Sequence, residues 1–105
     1  TNQRIVLPIQ NPNPENSTFE NHVFHLFVIR TKQREKFQAY LTKQGVQTLI
    51  HYPIAPHRQK AYQSWSKQSF PITECLQKEV LSLPISTVIT GKEVQKVIEV
   101  VNAYK

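Results

Sequence analysis

The run His22–Arg30 places Val23, Phe27 and Ile29 in one alternation set and Phe24, Leu26 and Val28 in the other. Both sets are largely apolar and the run is rich in β-branched and aromatic residues, so it reads as a strand covered on both faces. From Thr31 the period becomes helical. Phe37, Tyr40 and Leu41 share a face over about 32–44, Thr31 can cap the start, and Gly45 supplies the stop. Val46–His51 returns to strand character. Tyr52-Pro53-Ile54-Ala55-Pro56 must be irregular, because its two prolines lack the donors that a ladder needs. Pro56 suits the first position of a short helix, and Pro71 that of a helix to about Leu81. Ile72, Cys75, Leu76, Glu79 and Val80 sample the faces of that second helix. Leu83-Pro84-Ile85 is a short extended piece. Thr90-Gly91-Lys92-Glu93 is a capping box opening a last helix, whose apolar stripe is Val94, Val97, Ile98 and Val101.

Ahead of these elements, Ile5-Val6-Leu7 is stopped by Pro8, and Asn11–Ser17 reads as loop. The order β-α-β-loop-α-β-α predicts an α+β fold, a small sheet with helices packed on it. The 105 residues fit a single domain, 1–105, with one core. The helices at about 32–44 and 91–104 can cover one face of the sheet. The other face needs the N-terminal segment, the 71–81 helix or something outside the chain. In the last case Phe24, Leu26, Val28, Ile5 or Leu7 should stay partly exposed.

The net charge of +6 raises the question of a nucleic-acid partner. The basic residues are spread along the chain. Only Arg30, Lys32, Arg34 and Lys36 cluster, and Glu35 interrupts them, which describes a solvated helix face. A ferredoxin-like RNA-binding module is the competing reading, resting on the β-α-β order and on Phe24 and Phe27 in a strand. It lacks the glycine-bearing RNP1 pattern. A ligand-sensing module without chemistry is a further alternative. The apolar runs are too short to span a bilayer, and Thr-Asn-Gln-Arg is no secretory signal. The lone Cys75 excludes an internal disulfide and, in mid-helix, is expected to be a buried structural thiol. Cytoplasmic location, no membrane and no nucleic acid are the resulting expectations.

Candidate chemistry is sparse. His22 and His25 point to opposite faces of a strand. His51 and His57 flank the proline loop, but no cysteine pair or HExxH spacing completes a metal set, so no metal is expected. No GxSxG, GxGxxG or GxxxxGK[ST] motif is present, and Gly45 and Gly91 are both accounted for by helix ends. The segment His51–Tyr62 gathers His51, Tyr52, His57, Arg58, Lys60 and Tyr62 around a proline-stiffened turn. Such a loop is either a ligand-facing surface or an exposed connector, and the residues alone leave both open.

Five pieces in order carry a resemblance. They are the strand His22–Ile29; the stop Gly45-Val46; His51-Tyr52-Pro53 with Pro56-His57 and Ala61-Tyr62; Phe70-Pro71 with Glu74; and Leu81-Ser82-Leu83-Pro84. Together they resemble the C-terminal segment of the DegT/DnrJ/EryC1/StrS sugar aminotransferases, from about Arg4 to Tyr104. The resemblance implies the C-terminal small domain of a fold-type-I enzyme dependent on pyridoxal phosphate (PLP). Such an enzyme moves an amino group from glutamate to a keto group on a nucleotide-linked sugar, in surface-polysaccharide or antibiotic-sugar synthesis. PLP acts as its electron sink. A homodimer is implied, with the active site at its interface and mostly in a large domain that this chain lacks. None of the nine lysines sits in the Schiff-base motif, so no catalytic or cofactor-binding residue is carried over. The coding sequence is accordingly expected to extend upstream of Thr1, and the isolated chain to bind no PLP and transaminate nothing. By match to the family's loop, His51, Tyr52 and His57 are expected to line the nucleotide-sugar cleft on an exposed loop.

Overall fold

Ile29 and Leu81 pair at the centre of a two-stranded antiparallel sheet, and both are fully buried. The computed structural model describes residues 2–8 and 23–105. Its elements are β1 (Phe27–Arg30), α1 (Arg34–Lys43), 3-10 turns at Pro56–Arg58 and Lys60–Trp65, α2 (Pro71–Glu79), β2 (Val80–Leu83) and α3 (Gly91–Ala103). The register pairs Phe27 with Leu83, Val28 with Ser82, Ile29 with Leu81 and Arg30 with Val80. Partners across a ladder share a face, and successive residues alternate. Phe27, Ile29, Leu81 and Leu83 therefore form one face; Val28, Arg30, Val80 and Ser82 form the other. Single bridges widen the sheet on both edges, Val6 to Arg30 and Leu49 to Ser82.

The first face meets Phe37 and Leu41 of α1 and the partly buried Val97 and Val101 of α3, with Ile5 and Val46 completing the core. Full burial of a side chain such as Phe37 or Leu41 contributes roughly 1.5–3 kcal/mol. Gly45, at φ +75°, stops α1. The Gly45 N–H donates to the Thr42 carbonyl (3.0 Å) and the Val46 N–H to that of Leu41 (2.9 Å), a Schellman closure. The capping box of α3 is complete. The Glu93 N–H donates to Thr90 Oγ1 (3.3 Å), and the Thr90 N–H to Glu93 Oε2 (2.8 Å). At its other end, Asn2 Nδ2 donates to the carbonyls of Val101 (3.0 Å) and Tyr104 (2.7 Å), which the helix itself leaves unpaired.

Several expectations need correction. The strand expected over His22–Arg30 is confined to Phe27–Arg30, His22 lying outside the described residues along with the expected loop 11–17. Phe24 has φ +44°, which no strand residue adopts, and Val23 is 93% exposed. Val46–His51 forms one bridge at Leu49 instead of a strand. The last extended piece is Val80–Leu83, because Val80 leaves the helical region at ψ 139° directly after α2. Thr31 is not the cap of α1. Gln33 holds that position without a side-chain bond, and Thr31 Oγ1 accepts the Gln33 N–H at 3.3 Å. Cys75 is exposed, since α2 turns a polar side to the protein.

Uncovered apolar surface lies partly where expected and partly on α3. Phe24, Leu26 and Val28 are only half-buried and Leu7 is 38% exposed, whereas Ile5 is buried. Val94 and Ile98 of α3 stay exposed beside Leu7, Phe27, Leu83 and Ile85, around an apolar cavity of about 440 Å³. The opening is thus on the helix-covered side of the sheet. With Phe24 off any strand and two strands among the described residues, the aromatic sheet platform of an RNA-recognition module is not formed. No helix is long and apolar enough to cross a membrane.

Candidate functional site

The proline loop is fixed at two ends. At the first, Leu49 and Ser82 exchange both backbone hydrogen bonds, Leu49 N–H to Ser82 O at 3.2 Å and Ser82 N–H to Leu49 O at 2.8 Å. His51 follows directly, and its Nδ1 lies 2.9 Å from Ser82 Oγ. At the second end, Glu74 in the first turn of α2 gathers three groups on one oxygen. His57 Nε2 (3.1 Å), Arg58 Nη2 (3.3 Å) and the Phe70 N–H (3.2 Å) all meet its Oε1. Between the ends, Gln77 Nε2 of α2 donates to the Pro53 carbonyl. Pro56 opens the 3-10 turn in which the Arg58 N–H reaches the Ala55 carbonyl at 2.9 Å.

This arrangement separates the three residues singled out in the sequence. His51 and Tyr52 stay together, their rings edge-to-face at 5.7 Å across a cis peptide bond. His51 lines a cavity of about 480 Å³ with His25, Thr48, Leu49, Ser82 and Leu83, whereas Tyr52, 65% exposed, is not among its lining residues. His57 goes the other way. It is 3% exposed, packed edge-on against Phe70 at 5.0 Å, so the expectation of a wholly surface loop fails at this residue. An ionised carboxylate only accepts, so His57 Nε2 carries the proton of this bond. Hydrogen bonding explains the inversion. The ring can be buried because its Nε2–H is satisfied inside by the Glu74 carboxylate. Among the described residues, no three His, Cys, Asp or Glu side chains form a metal-ligand group.

Glu74, Gln77 and Ser82 are the supporting residues that sequence reasoning did not assign. Glu74 and Ser82 both lie inside motifs of the resemblance, the one signal that could have marked them. The Glu74 carboxyl is held below its ordinary range chiefly by the Phe70 N–H, with Arg58 and His57 acting in the same direction against partial desolvation. A carboxyl lowered in the folded state stabilises fully above its ordinary value of 4.5, and that contribution is lost as pH falls through the folded value. The anchor is thus expected to stay intact through neutral and mildly acidic pH and to release only below 4.5. A carbon-13 titration of the Glu74 carboxyl, followed with the Phe70 amide shift, checks this. Titration at or above the ordinary value would contradict it.

PLP does not fit this chain. All nine lysines are exposed, neither cavity is lined by one, and the sequence holds no aspartate to pair with the pyridine nitrogen. No step through the cofactor can be assigned to these residues.

Residues 3–102 match the DegT/DnrJ/EryC1/StrS aminotransferase family. The chain is 60% identical over 83 residues to a dTDP-3-amino-3,6-dideoxy-alpha-D-galactopyranose transaminase of Aneurinibacillus thermoaerophilus, covering 79% of this chain and 23% of the relative. It is 41% identical over 92 residues to the erythromycin biosynthesis sensory transduction protein EryC1 of Saccharopolyspora erythraea, covering 86% and 25%. Among solved structures, DesV of S. venezuelae, crystallised with a ketimine intermediate, superposes with a TM-score of 0.76 at 33% identity, covering 93% of this chain and 25% of that one. NtdA of Bacillus subtilis, with bound cofactor PMP, gives a TM-score of 0.76 at 32% identity, covering 93% and 22%. The chain thus spans about a quarter of the length of its relatives. A match running from residue 3 to residue 102, with the same fold in the related structures, means that the chain belongs to the DegT/DnrJ/EryC1/StrS aminotransferase family.

Proposed function

We propose that this chain is the small domain, residues 1–105, of a PLP-dependent aminotransferase acting on a nucleotide-linked keto sugar. Glutamate is the amino donor, and the protein works as a cytoplasmic homodimer. The remaining polypeptide holds PLP, which supplies the electron sink when bound. This chain supplies the substrate side. The observation that carries the reading is His51 in the wall of a cavity of mixed lining, with Tyr52 edge-on to its ring, in a chain 60% identical to a sugar-nucleotide transaminase. Apolar walls with a few fixed polar groups suit a sugar or base, and an exposed Tyr ring offers both a face and a hydroxyl. His57 acts from inside, holding the turn that carries Arg58.

Absorbance of the whole protein provides the test. Glutamate alone should convert the bound cofactor to its amine form, and a nucleotide keto sugar should restore the starting spectrum. Restoration by simple 2-oxo acids but not by any nucleotide keto sugar would contradict the proposal. The isolated chain, mixed with PLP, should give no stoichiometric borohydride-trapped adduct at any one lysine.

A further inference from the structure

Ser82 belongs to a motif of the resemblance and lines the same cavity as His51. It pairs with Val28, opposite the helix-covered face, and is 5% exposed. Both of its backbone groups are engaged with Leu49. Its hydroxyl has one hydrogen-bond partner among the described residues, His51 Nδ1 at 2.9 Å. Two proton arrangements fit that distance. If Nδ1–H donated to Oγ, the hydroxyl proton would have no protein acceptor among the described residues and would have to be met from the cavity, which Ser82 also lines. If Oγ–H donates to Nδ1, both groups are satisfied and the single proton of the neutral ring sits on Nε2. His51 Nε2 has no partner among the described residues, and His51 lines the 480 Å³ cavity.

We propose that Ser82 is a positioning residue that fixes His51 in the Nε2–H tautomer, so that the ring offers a hydrogen-bond donor to an acceptor oxygen of the nucleotide sugar. Thr48 lines the same cavity, and its hydroxyl accepts from Gln38 Nε2 at 3.3 Å, leaving its own proton as a second donor. Two donors in one cavity favour a ligand rich in hydroxyl, keto or phosphate oxygens. The proposal rests on the sugar-side reading of the loop.

Long-range proton–nitrogen spectra of the whole protein, labelled with nitrogen-15 histidine, read the tautomer directly. His51 should show a bare Nδ1 and a protonated Nε2, and Ser82→Ala should mix the two tautomers. In the same variant KM for the nucleotide sugar should rise about tenfold, the worth of one well-placed hydrogen bond. The half-reaction with glutamate should stay within about twofold, since the lost bond serves only the sugar side. Ser82→Thr keeps the hydroxyl and should restore both tautomer and KM. A wild-type His51 protonated on Nδ1 would overturn the proposal even if Ser82→Ala does not fold. So would a Ser82→Ala protein whose tautomer is unchanged. The two readings fail separately. An ineffective His51→Ala sinks the sugar-side assignment, whereas a damaging His51→Ala beside an ineffective Ser82→Ala sinks only the role of Ser82.

Discussion

Phe37→Ala is expected to remove a large part of the stability of this domain. The ring is fully buried and contacts Tyr104 at 4.7 Å and Tyr40 at 6.4 Å between ring centres. Those two rings are tied down in turn, Tyr40 Oη donating to the Val100 carbonyl (3.1 Å) and Tyr104 Oη to Gln33 Oε1 (3.3 Å). The space therefore cannot collapse easily. A Phe→Ala change in such a setting costs about 3–5 kcal/mol, against about 5–15 kcal/mol for a whole domain. Amide exchange at Ile29 and Leu41 should accelerate by roughly two to four orders of magnitude. Exchange within a factor of two of the wild type would show that the core does not depend on this ring.

His57→Ala should have the second largest effect, confined to the loop. The substitution removes a charge-assisted hydrogen bond of about 1.5–3 kcal/mol and an aromatic contact of about 0.5–1.5 kcal/mol. Glu74 keeps Arg58 and the Phe70 N–H, so no buried charge is orphaned and the total belongs near the lower end, about 2 kcal/mol. Faster exchange is expected for the Arg58 and Gln59 amides, with Leu81 in β2 unchanged. Global destabilisation, with Leu81 exchanging faster by the same factor, would mean that the loop and the sheet are one cooperative unit.

Local signals in the sequence were read well where a backbone need is met by neighbouring residues. Gly45 and the Thr90–Glu93 box did in the structure what their chemistry requires, and the Pro71 helix start held. Periodicity succeeded for α1, where Phe37 and Leu41 are core. It failed for α2. Ile72 is 77% exposed and Cys75 is exposed, while the inward side carries Glu74 and Gln77 hydrogen-bonded to the loop and Glu79 paired with Arg30 at 2.8 Å. A helix whose inner face makes hydrogen bonds presents the wrong periodicity. Strand lengths were equally hidden, because Phe24 turns to positive φ with no glycine to announce it. Of the site, the loop itself was legible. The split between His51 facing a cavity and His57 anchoring on Glu74 was not, since it depends on partners 31 and 17 residues away.

Single-turnover rates of the two half-reactions, measured separately on the whole protein carrying His51→Ala or Tyr52→Phe, test the central claim most directly. Both amino donor and sugar react at the same cofactor, but only the sugar carries a nucleotide needing further contacts. The account predicts a loss of about tenfold or more with the nucleotide keto sugar for His51→Ala, and a smaller loss for Tyr52→Phe. The glutamate half-reaction should remain within about twofold for both variants. Equal losses in the two half-reactions would contradict the account and make the loop a structural connector.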